Sequence, residues 1–528
     1  MMGLRRCWSL MLAVAMLPCA MQAQVNPKER LWQTLKAIQG NYVDSLTDNQ
    51  LVEAAIAGMM SRLDPHSRYF SKQDSEEMHE SMKGRFAGIG IQYMMENDSL
   101  YITQIIEGGP AEKAGLQAGD RILRIDSQAV TGSGQTNYTV MKKIRGQKGS
   151  NLSLEVLRKY TGAVLKKELV RDFVADHSVK AAYMLDAKTG YINLRIFNET
   201  TRQEIDKALI TLKKEGMQNL VLDLQGNGGG YVQSAIGVAD EFLQKDQLVF
   251  YSEGRDKGRD YYYSGGFGQF QEGKLVVLID QSTASASEIL TGALQDWDRA
   301  VIVGRRSFGK GLMQRPVPVF DGSVLELTGA RYYTPSGRSI QKPYKGSKYE
   351  DNALTRWQSG ELADGKVFHF PDSLKYKTLV NKRTVFGGGG IMPDVYVPVD
   401  TAEFSGWLQD IAVSGITSKF TFEYLDANRG SLLDIYKDFA SFKNQYTVPA
   451  SLVQKIREAG EKNGLLLTAA DKERVLSLLS LGIKAQLASQ LYTGNDHYLQ
   501  VMNTSNASLK EALRILEQST QFTKFLKP

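Results

Sequence analysis

Residues 274–311, "KLVVLIDQSTASASEILTGALQDWDRAVIVGRRSFGKG", decide the fold class. The apolar run that ends at Asp280 predicts a buried strand, and "AVIVG" (300–304) predicts a second one. Between the two runs, apolar residues recur at helical spacing, which predicts a helix with one buried face. A strand, a helix and a strand in this order are typical of an α/β crossover unit, and "TGYINLRIF" (189–197) and "NLVLDL" (219–224) continue the alternation.

Three serines lie within "STASASEI" (282–289), which spans the turn and the start of that helix. Ser285 falls where the turn meets the helix, so one interpretation is an ordinary helix N-cap. The same place offers free backbone N–H groups and the positive end of the helix dipole, which suit a developing oxyanion. Because Ala284 and Ala286 are small, a substrate backbone could approach closely. Ser285 is therefore the candidate nucleophile, and the N-cap is the alternative.

A base for this serine is predicted in the loop after the second strand. A helix of about twelve residues carries the chain roughly 18 Å away, and the strand returns it by roughly 16 Å. Lys310 should therefore lie near Ser285, where burial could keep its amine neutral enough to accept a proton; the alternative is a surface turn. In the strand pattern that follows, Gln314 shares a face with Lys310 and could orient the amine. The histidines are scattered, and none is predicted to join the site: 66, 79, 177, 369 and 497.

A glycine-rich loop, "LQGNGGGY" (224–231), follows another predicted strand. Consecutive glycines let backbone N–H groups point into a site without obstruction by side chains. We expect the N–H groups of Gly229 and Ala286 to form an oxyanion hole. A nucleotide-phosphate loop is the alternative, but the stretch lacks both the Walker lysine–serine pair and the dinucleotide spacing.

Residues 84–172 differ in character, with short alternating runs separated by glycine turns, as in small β domains. "GIGI" (88–91) and "GGPAEKAGLQAGDRILRID" (108–126) resemble the signature of a PDZ domain. Open backbone N–H groups in the first motif could receive a peptide carboxylate, and the next strand offers an edge for β-augmentation. The residues of this carboxylate loop are Gly88, Ile89, Gly90 and Ile91. The alternative is a small β domain that binds no ligand.

The chain as a whole resembles the carboxyl-terminal processing peptidases, also called tail-specific proteases. "TASASEILTGALQDWDRAVIVGRRSFGKGLMQ" (283–314) looks like the active-site segment of that family. Three further segments are similar to the family: "LDPHSRYF" (63–70), "YYTPSGRSIQ" (332–341) and "GIMPDVYV" (390–397). The resemblance covers residues 30–400 and implies a PDZ domain inserted before an α/β, crotonase- or ClpP-like, peptidase core.

The resemblance also implies roles for individual residues. Ser285 would be the nucleophile, Lys310 the general base and Gln314 the residue that orients the lysine, with no metal and no cofactor. Ser282 and Ser287 would be structural, and we interpret Asp296, far along the helix, in the same way.

Two positions depart from the family pattern. Gln225 and Gly226 stand where the family usually has arginine and often asparagine, which puts in doubt any anchoring role of the arginine. A milder change is Thr283, where serine is common.

Composition and the first residues indicate an exported protein. "MMGLRRCWSLMLAVAMLPCAMQAQ" has the basic start, apolar stretch and small residues of a signal peptide, with cleavage after Ala23 and periplasmic localisation. Both cysteines, Cys7 and Cys19, fall inside this leader; lipid anchoring through Cys19 is a weaker alternative. The net charge of +6 becomes +4 without Arg5 and Arg6, too small and dispersed to indicate nucleic-acid binding.

The predicted organisation is a leader, a helical region, a PDZ-like domain, a peptidase core and a second helical region. Their limits are 1–23, 24–83, 84–172, 173–400 and 401–528. The second helical region could mediate self-association or adaptor binding. The predicted function is a periplasmic serine endopeptidase that cleaves exported proteins near their C-termini, with the PDZ domain capturing apolar, unstructured tails. The alternatives are a PDZ-bearing scaffold with an inactive core and another serine hydrolase such as an esterase.

Overall fold

The computed structural model of the chain gives two compact units, one up to Leu63 and one from Asp64 onward. The structure describes residues 26–96, 99–130, 135–344, 353–364, 370–400, 402, 405–467, 472–494 and 496–527. The predicted leader, with Cys7 and Cys19, lies outside these residues.

The first unit is a pair of helices, α1 (Pro27–Asn41) and α2 (Asp48–Met60). Asn26 caps α1 by accepting from the backbone N–H of Lys28, and Thr47 forms a capping box with Gln50 at the start of α2. Neither helix contains a buried residue, and large apolar side chains such as that of Trp32 are half exposed.

The second unit begins with the short strand β1 (Arg68–Phe70) and helix α3 (Lys72–Met82), followed by a PDZ-like domain. Its strands and helices are β2 (Arg85–Gly88), β3 (Ile91–Glu96), β4 (Ser99–Ile105), α4 (Pro110–Lys113), β5 (Arg121–Ile125), β6 (Gln128–Ala129), α5 (Asn137–Ile144), β7 (Asn151–Arg158), β8 (Ala163–Val170) and β9 (Asp172–Ala175). Strands β3, β4, β5, β7 and β8 form one antiparallel sheet in that order, with β3 at an edge. Strands β2 and β9 pair as a separate ribbon where the domain joins the rest of the chain.

The peptidase core is built on a six-stranded sheet in the order β10-β11-β12-β15-β16-β21. From β11 onward the strands are parallel, as the crossover pattern predicts. The strands of this sheet and the helices between them are β10 (Val179–Met184), β11 (Thr189–Leu194), α6 (Thr201–Lys214), β12 (Asn219–Asp223), α7 (Val232–Asp240), β15 (Lys274–Ile279), α8 (Ala286–Asp296), β16 (Val301–Gly304) and β21 (Val395–Tyr396). The buried faces of α6, α7 and α8 share one apolar cluster with one face of the sheet.

A second, antiparallel sheet borders the core in the order β1-β18-β13-β14, with β17 also paired to β18. Its remaining strands are β13 (Leu248–Gly254), β14 (Arg259–Tyr263), β17 (Leu312–Pro318) and β18 (Val324–Tyr333). Helix α9 (Ala353–Gln358) and the hairpin of β19 (Lys375–Lys377) and β20 (Thr384–Phe386) lie before β21 in the chain.

The C-terminal region is helical, as predicted. Its helices are α10 (Gly406–Val413), α11 (Ile416–Ile435), α12 (Phe439–Gln445), α13 (Ala450–Lys462), α14 (Lys472–Leu491), α15 (His497–Met502), α16 (Ala507–Glu517) and α17 (Ser519–Phe525). It touches the PDZ-like domain, where Arg121 pairs with Asp426 at 3.0 Å and Tyr101 stacks on Phe422. It also covers the second face of the core sheet, because Leu509 and other apolar residues of α16 are buried with that face.

The described residues were compared with the requirements of a membrane-spanning helix and of a metal site. None of their helices combines the length and apolar character needed to cross a membrane. Nor do those residues contain a group of three or more histidine, cysteine, aspartate or glutamate side chains arranged to hold a metal ion.

Candidate active site

Ser285 lies in a strained turn between β15 and α8. Its φ of +56° and ψ of −116° fall in a region that side-chain-bearing residues rarely adopt. Its carbonyl accepts from the N–H groups of Glu288 and Ile289, so the residue also begins the helix. Strain of this kind costs on the order of 1–3 kcal/mol and is concentrated at functional sites. The serine is therefore more than an ordinary N-cap.

Glu288 joins this turn to the loop of Lys310. Its carboxylate is wholly buried, and Oε2 accepts from the backbone N–H groups of Ser285 and Lys310, each at 2.9 Å. Oε1 accepts from Gly309 N–H at 2.7 Å and from the hydroxyl of Ser307. Burial raises the pKa of Glu288, although these hydrogen bonds oppose the rise. The role of Glu288 was not predicted from the sequence, although the Ser–x–x–Glu spacing of a capping box was a signal for it.

Tyr332 of β18 holds the same two residues from the other side. Its hydroxyl lies 2.7 Å from the carbonyl oxygen of Lys310 and 3.2 Å from that of Ser285. The ring is buried, and this burial raises the pKa of the phenol well above its ordinary value, so the group remains a donor. Two buried side chains thus fix the backbones of the candidate nucleophile and base next to each other.

Lys310 itself is half buried. Loss of solvent lowers the pKa of its ammonium group, and Arg68 acts in the same direction. The carboxylates of Glu326, Glu288 and Asp64 oppose the shift, but the net pKa remains below the ordinary value. A lysine whose neutral form is favoured in this way can serve as a general base.

Among the described residues, the Gln314 side chain makes its hydrogen bond with Thr328, and none with Lys310, the partner expected from the sequence. Strand β17 begins only at Leu312, and its register with β18 shifts between Met313 and Gln314. The Gln314 side chain donates from Nε2 to the hydroxyl oxygen of Thr328 at 3.1 Å, and within the described residues no hydrogen bond joins it to the lysine. Because Lys310 lies in a loop before the strand, the alternation does not extend to it, and the orienting role of Gln314 stays a prediction.

The glycine loop does reach the serine. A Cβ atom on Gly229 would lie 2.8 Å from Ser285 Cβ and 2.9 Å from Ala286 N, and the glycine has φ of +99°. Its N–H, however, donates to Asn227 Oδ1 at 2.9 Å. Of the two N–H groups expected to form the oxyanion hole, that of Gly229 is therefore already engaged in this conformation. Ala286 is the first residue of α8, where N–H groups have no acceptor within the helix.

One histidine lies closer to the site than the sequence analysis expected. His66 is buried, its ring meets that of Phe308 edge-on at 6.4 Å, and burial together with the charge of Lys310 lowers its pKa to about 4. The "LDPHSRYF" segment brings it there, because β1 pairs with β18. His66 therefore lies near the loop of Lys310, a position that the sequence pattern did not indicate.

The other two serines and the helix aspartate make contacts of a structural kind. Ser287 is buried and donates to the carbonyl of Asn227 at 3.1 Å. Asp296 is fully buried in an ion pair with Arg338 at 2.7 Å. Ser282 is exposed, and its backbone N–H donates to Asp280.

Gln225, which departs from the family pattern, contacts the C-terminal region. Its Oε1 accepts from Asn506 at 2.9 Å, and its Nε2 lies 3.5 Å from the hydroxyl of Ser508, beside the start of α16. Gln225 therefore joins the glycine loop to the C-terminal helical region.

The carboxylate loop of the PDZ-like domain lies between β2 and the edge strand β3. Gly90 has φ of +79°, and the loop is fixed because the carbonyls of Ile89 and Gly90 accept from Ala111 and Ile106. Ile89 is buried with Val140 of α5. An open strand edge beside a helix is the geometry that β-augmentation requires.

Comparisons with known proteins agree with this architecture. Family models match peptidase family S41 at residues 188–347, a PDZ domain at 87–166 and the N-terminal domain of the activating protease CtpB at 18–74. Residues 407–494 match a family of unknown function, DUF8443.

Two relatives and one solved structure illustrate the similarity. A carboxy-terminal-processing protease of Bartonella bacilliformis is 38% identical over 317 residues, which span 59% of this chain and 72% of the relative. The carboxy-terminal processing protease CtpB of Bacillus subtilis is 35% identical over 317 residues, 60% of this chain and 65% of the relative. The structure of a photosystem II D1 C-terminal processing protease aligns over 60% of this chain and 91% of its own at 28% identity, with a TM-score of only 0.35.

These findings define a serine-type peptidase with a PDZ domain before its catalytic core, which confirms the predicted fold class. The chain belongs to the carboxy-terminal-processing protease family.

Proposed function

We propose that this peptidase cleaves exported proteins near their C-termini, with Ser285 as nucleophile and Lys310 as general base. The observation that carries the proposal is the buried Glu288 carboxylate, whose single oxygen Oε2 receives the backbone N–H groups of both residues. The strained backbone of Ser285 and the lowered pKa of Lys310 support the same assignment. A serine–lysine pair needs no histidine as base.

The chemistry follows from these positions. The neutral amine of Lys310 takes the hydroxyl proton as Ser285 Oγ attacks the scissile carbonyl, and it gives that proton to the leaving amine. Water then resolves the acyl-enzyme. The Ala286 N–H would stabilise the oxyanion, and Gly229 would join it only after its N–H leaves Asn227.

The PDZ-like domain would select the substrate. The edge strand β3 and the loop of Gly88, Ile89, Gly90 and Ile91 suit an extended peptide with a free C-terminal carboxylate. Apolar, unstructured tails are the proposed ligands. The proposed location is the periplasm, after cleavage at Ala23; anchoring through Cys19 is the alternative. Self-association or adaptor binding through the C-terminal helices stays a prediction.

The test uses residues 24–528 and an unfolded protein with an apolar C-terminal tail. Ser285→Ala and Lys310→Ala are compared with the wild type, and fragments are identified by mass spectrometry. We expect cleavage near the C-terminus by the wild type alone. Equal cleavage by all three proteins would contradict the assignment, and binding without cleavage by all three would favour the scaffold alternative. Separating periplasmic from membrane fractions distinguishes cleavage at Ala23 from anchoring at Cys19.

A further inference from the structure

Two side chains of the C-terminal helical region reach backbone carbonyl groups of the PDZ-like domain. Gln490, near the end of α14, donates from Nε2 to the carbonyl oxygen of Thr103 in β4. Arg429 of α11 donates from Nη2 to the carbonyl oxygen of Ala118 at 2.9 Å. Its Nη1 donates to the carbonyl oxygen of Gln490 at 3.0 Å, one of the helix-end carbonyls that have no partner within α14. The two contacts are therefore linked to each other.

These two carbonyl groups lie at the ends of residues 103–118, which we call the supporting segment because the carboxylate loop rests on it. Within the segment, the backbone N–H of Ile106 donates to the carbonyl oxygen of Gly90 at 2.9 Å. The backbone N–H of Ala111 donates to the carbonyl oxygen of Ile89 at 2.8 Å. The position of the carboxylate loop therefore depends on the position of the supporting segment.

Between its ends the supporting segment borders a cavity of about 700 Å³. The segment contributes Ile105, Glu107 and Glu112 to the wall of this cavity, and the C-terminal region contributes Leu433 and Tyr492. Open space thus separates the middle of the segment from helices α11 and α14. The hydrogen bonds at the two ends hold a segment whose middle borders this space.

The contact is ordered but incompletely satisfied. Arg429 Nε and Gln490 Oε1 are buried, and neither atom has a hydrogen-bond partner among the described residues. Buried polar atoms without partners offset part of the free energy that the other hydrogen bonds contribute. Apolar side chains of similar length at these two positions would remove the hydrogen bonds and the unpaired atoms together, so both domains should remain folded.

We propose that Arg429 and Gln490 are positioning residues for peptide binding: they hold both ends of the supporting segment and thereby fix the carboxylate loop. The proposal rests on the peptide-binding role proposed above for the PDZ-like domain. A loop that is already ordered binds a carboxylate more tightly, because it does not lose conformational freedom when the peptide binds. Residues 407–494, which match a family of unknown function, thus take part in substrate selection.

The binding test uses residues 24–528 with Ser285→Ala as the parent, so that the peptide is not cleaved. A fluorescent peptide with apolar C-terminal residues and a free carboxylate is titrated by anisotropy, and the same peptide with a C-terminal amide is the ligand control. Arg429→Met and Gln490→Met remove the donors and keep long side chains that suit a helix. We expect each to raise the Kd of the carboxylate peptide about three- to tenfold, with the Kd of the amide peptide changed less than about twofold.

Asp426→Asn is the matched control variant. Asp426 lies on α11, three residues before Arg429, and pairs with Arg121 at 3.0 Å across the same two domains but outside the supporting segment. A general loosening of the two domains would affect this variant as well. We expect its Kd for the carboxylate peptide to stay within about twofold of the parent, even if its thermal midpoint falls. An equal loss of affinity in Asp426→Asn and Arg429→Met would overturn the proposal.

Hydrogen–deuterium exchange measures the supporting segment directly. The backbone amides of Ile106 and Ala111 should exchange at least about fivefold faster in Arg429→Met and Gln490→Met than in the parent, and at the parent rate in Asp426→Asn. Exchange at the parent rate in both methionine variants would overturn the proposal. Faster exchange with an unchanged Kd would also overturn it, because the segment would then not control peptide binding.

The parent protein separates failure of this proposal from failure of the proposed function. If the parent prefers the carboxylate peptide and the methionine variants bind it equally well, only the role of Arg429 and Gln490 is wrong. If the parent binds the carboxylate and amide peptides equally, carboxylate capture by the PDZ-like domain is wrong, and this proposal falls with it. Cleavage of the peptide by the Ser285→Ala parent would show that the assignment of the nucleophile is wrong.

Discussion

The buried carboxylate of Glu288 gives a sharp test of how the site is held together. It accepts four hydrogen bonds, two at each oxygen: Ser285 N–H and Lys310 N–H at Oε2, and Gly309 N–H and the Ser307 hydroxyl at Oε1. In Glu288→Gln, one oxygen becomes an NH₂ group. If the NH₂ group takes the position of Oε1, the Ser307 hydroxyl can rotate to accept from it. This orientation of the amide is favoured, because only the hydrogen bond from the Gly309 N–H is lost.

The structure therefore predicts a graded response. One unsatisfied buried donor costs about 1–3 kcal/mol, and each kcal/mol shifts the thermal midpoint of a domain of about this size by roughly 2–4 °C, so Glu288→Gln should lower the midpoint by roughly 2–12 °C. Glu288→Ala leaves all four donors without the carboxylate and should cost at least about 4 kcal/mol. The peptidase rate should change by less than about threefold in the glutamine variant. It should fall about 100-fold in the alanine variant, where the two catalytic residues are no longer tied together.

The assay combines thermal unfolding followed by circular dichroism with cleavage of an internally quenched peptide with apolar C-terminal residues. Glu215→Gln, at an exposed position, controls for the loss of one negative charge. Equal thermal midpoints for the glutamine and alanine variants would refute the hydrogen-bond reasoning. A fully active alanine variant would show that Glu288 does not hold the site.

Three other perturbations have expected outcomes. Gly229→Ala would place a methyl group 2.8 Å from Ser285 Cβ at φ of +99°, so activity should fall at least about 100-fold in the peptide assay, and unchanged rates would contradict the packing. Arg338→Met would leave the carboxylate of Asp296 buried and unpaired, which should cost about 3–5 kcal/mol in denaturant unfolding; a cost below about 1 kcal/mol would show that the pair is not needed. The lowered pKa of His66 means that, between pH 6.5 and about 4, the unfolded chain binds a proton that the folded protein does not. The free energy of unfolding should therefore decrease by on the order of 1–2 kcal/mol as the pH falls through that range. His66→Gln should remove this decrease, which urea titrations at several pH values would measure.

The sequence predicted the elements of the core because their signals are local. The apolar runs before Asp280 and in "AVIVG" correspond to β15 and β16, and the helical spacing between them corresponds to α8. The geometry of a crossover unit then required the Lys310 loop to return towards Ser285, and Glu288 does bridge their backbones. Periodicity and chain length were sufficient for this step.

Local patterns did not locate the individual hydrogen bonds of the site. The strand pattern predicted that Gln314 lies on the same face as Lys310. In the structure the register of β17 against β18 shifts at Gln314, and its side chain donates to Thr328. The sequence offered the Gly229 N–H to an oxyanion, but the side chain of Asn227 accepts it. A register shift and a side-chain hydrogen bond each depend on atoms that residue types and spacing do not locate.

Local periodicity and short motifs were enough to predict the order of the domains, the α/β core and the residue types able to do the chemistry. The contacts that hold those residues became visible in the folded chain alone. Tyr332 reaches the carbonyls of Ser285 and Lys310 from β18, and Gln225 meets Asn506 from the C-terminal region. The physical reason is that contacts between distant segments form when buried surfaces pack together. The residue pattern of one segment does not specify which distant segment it will pack against.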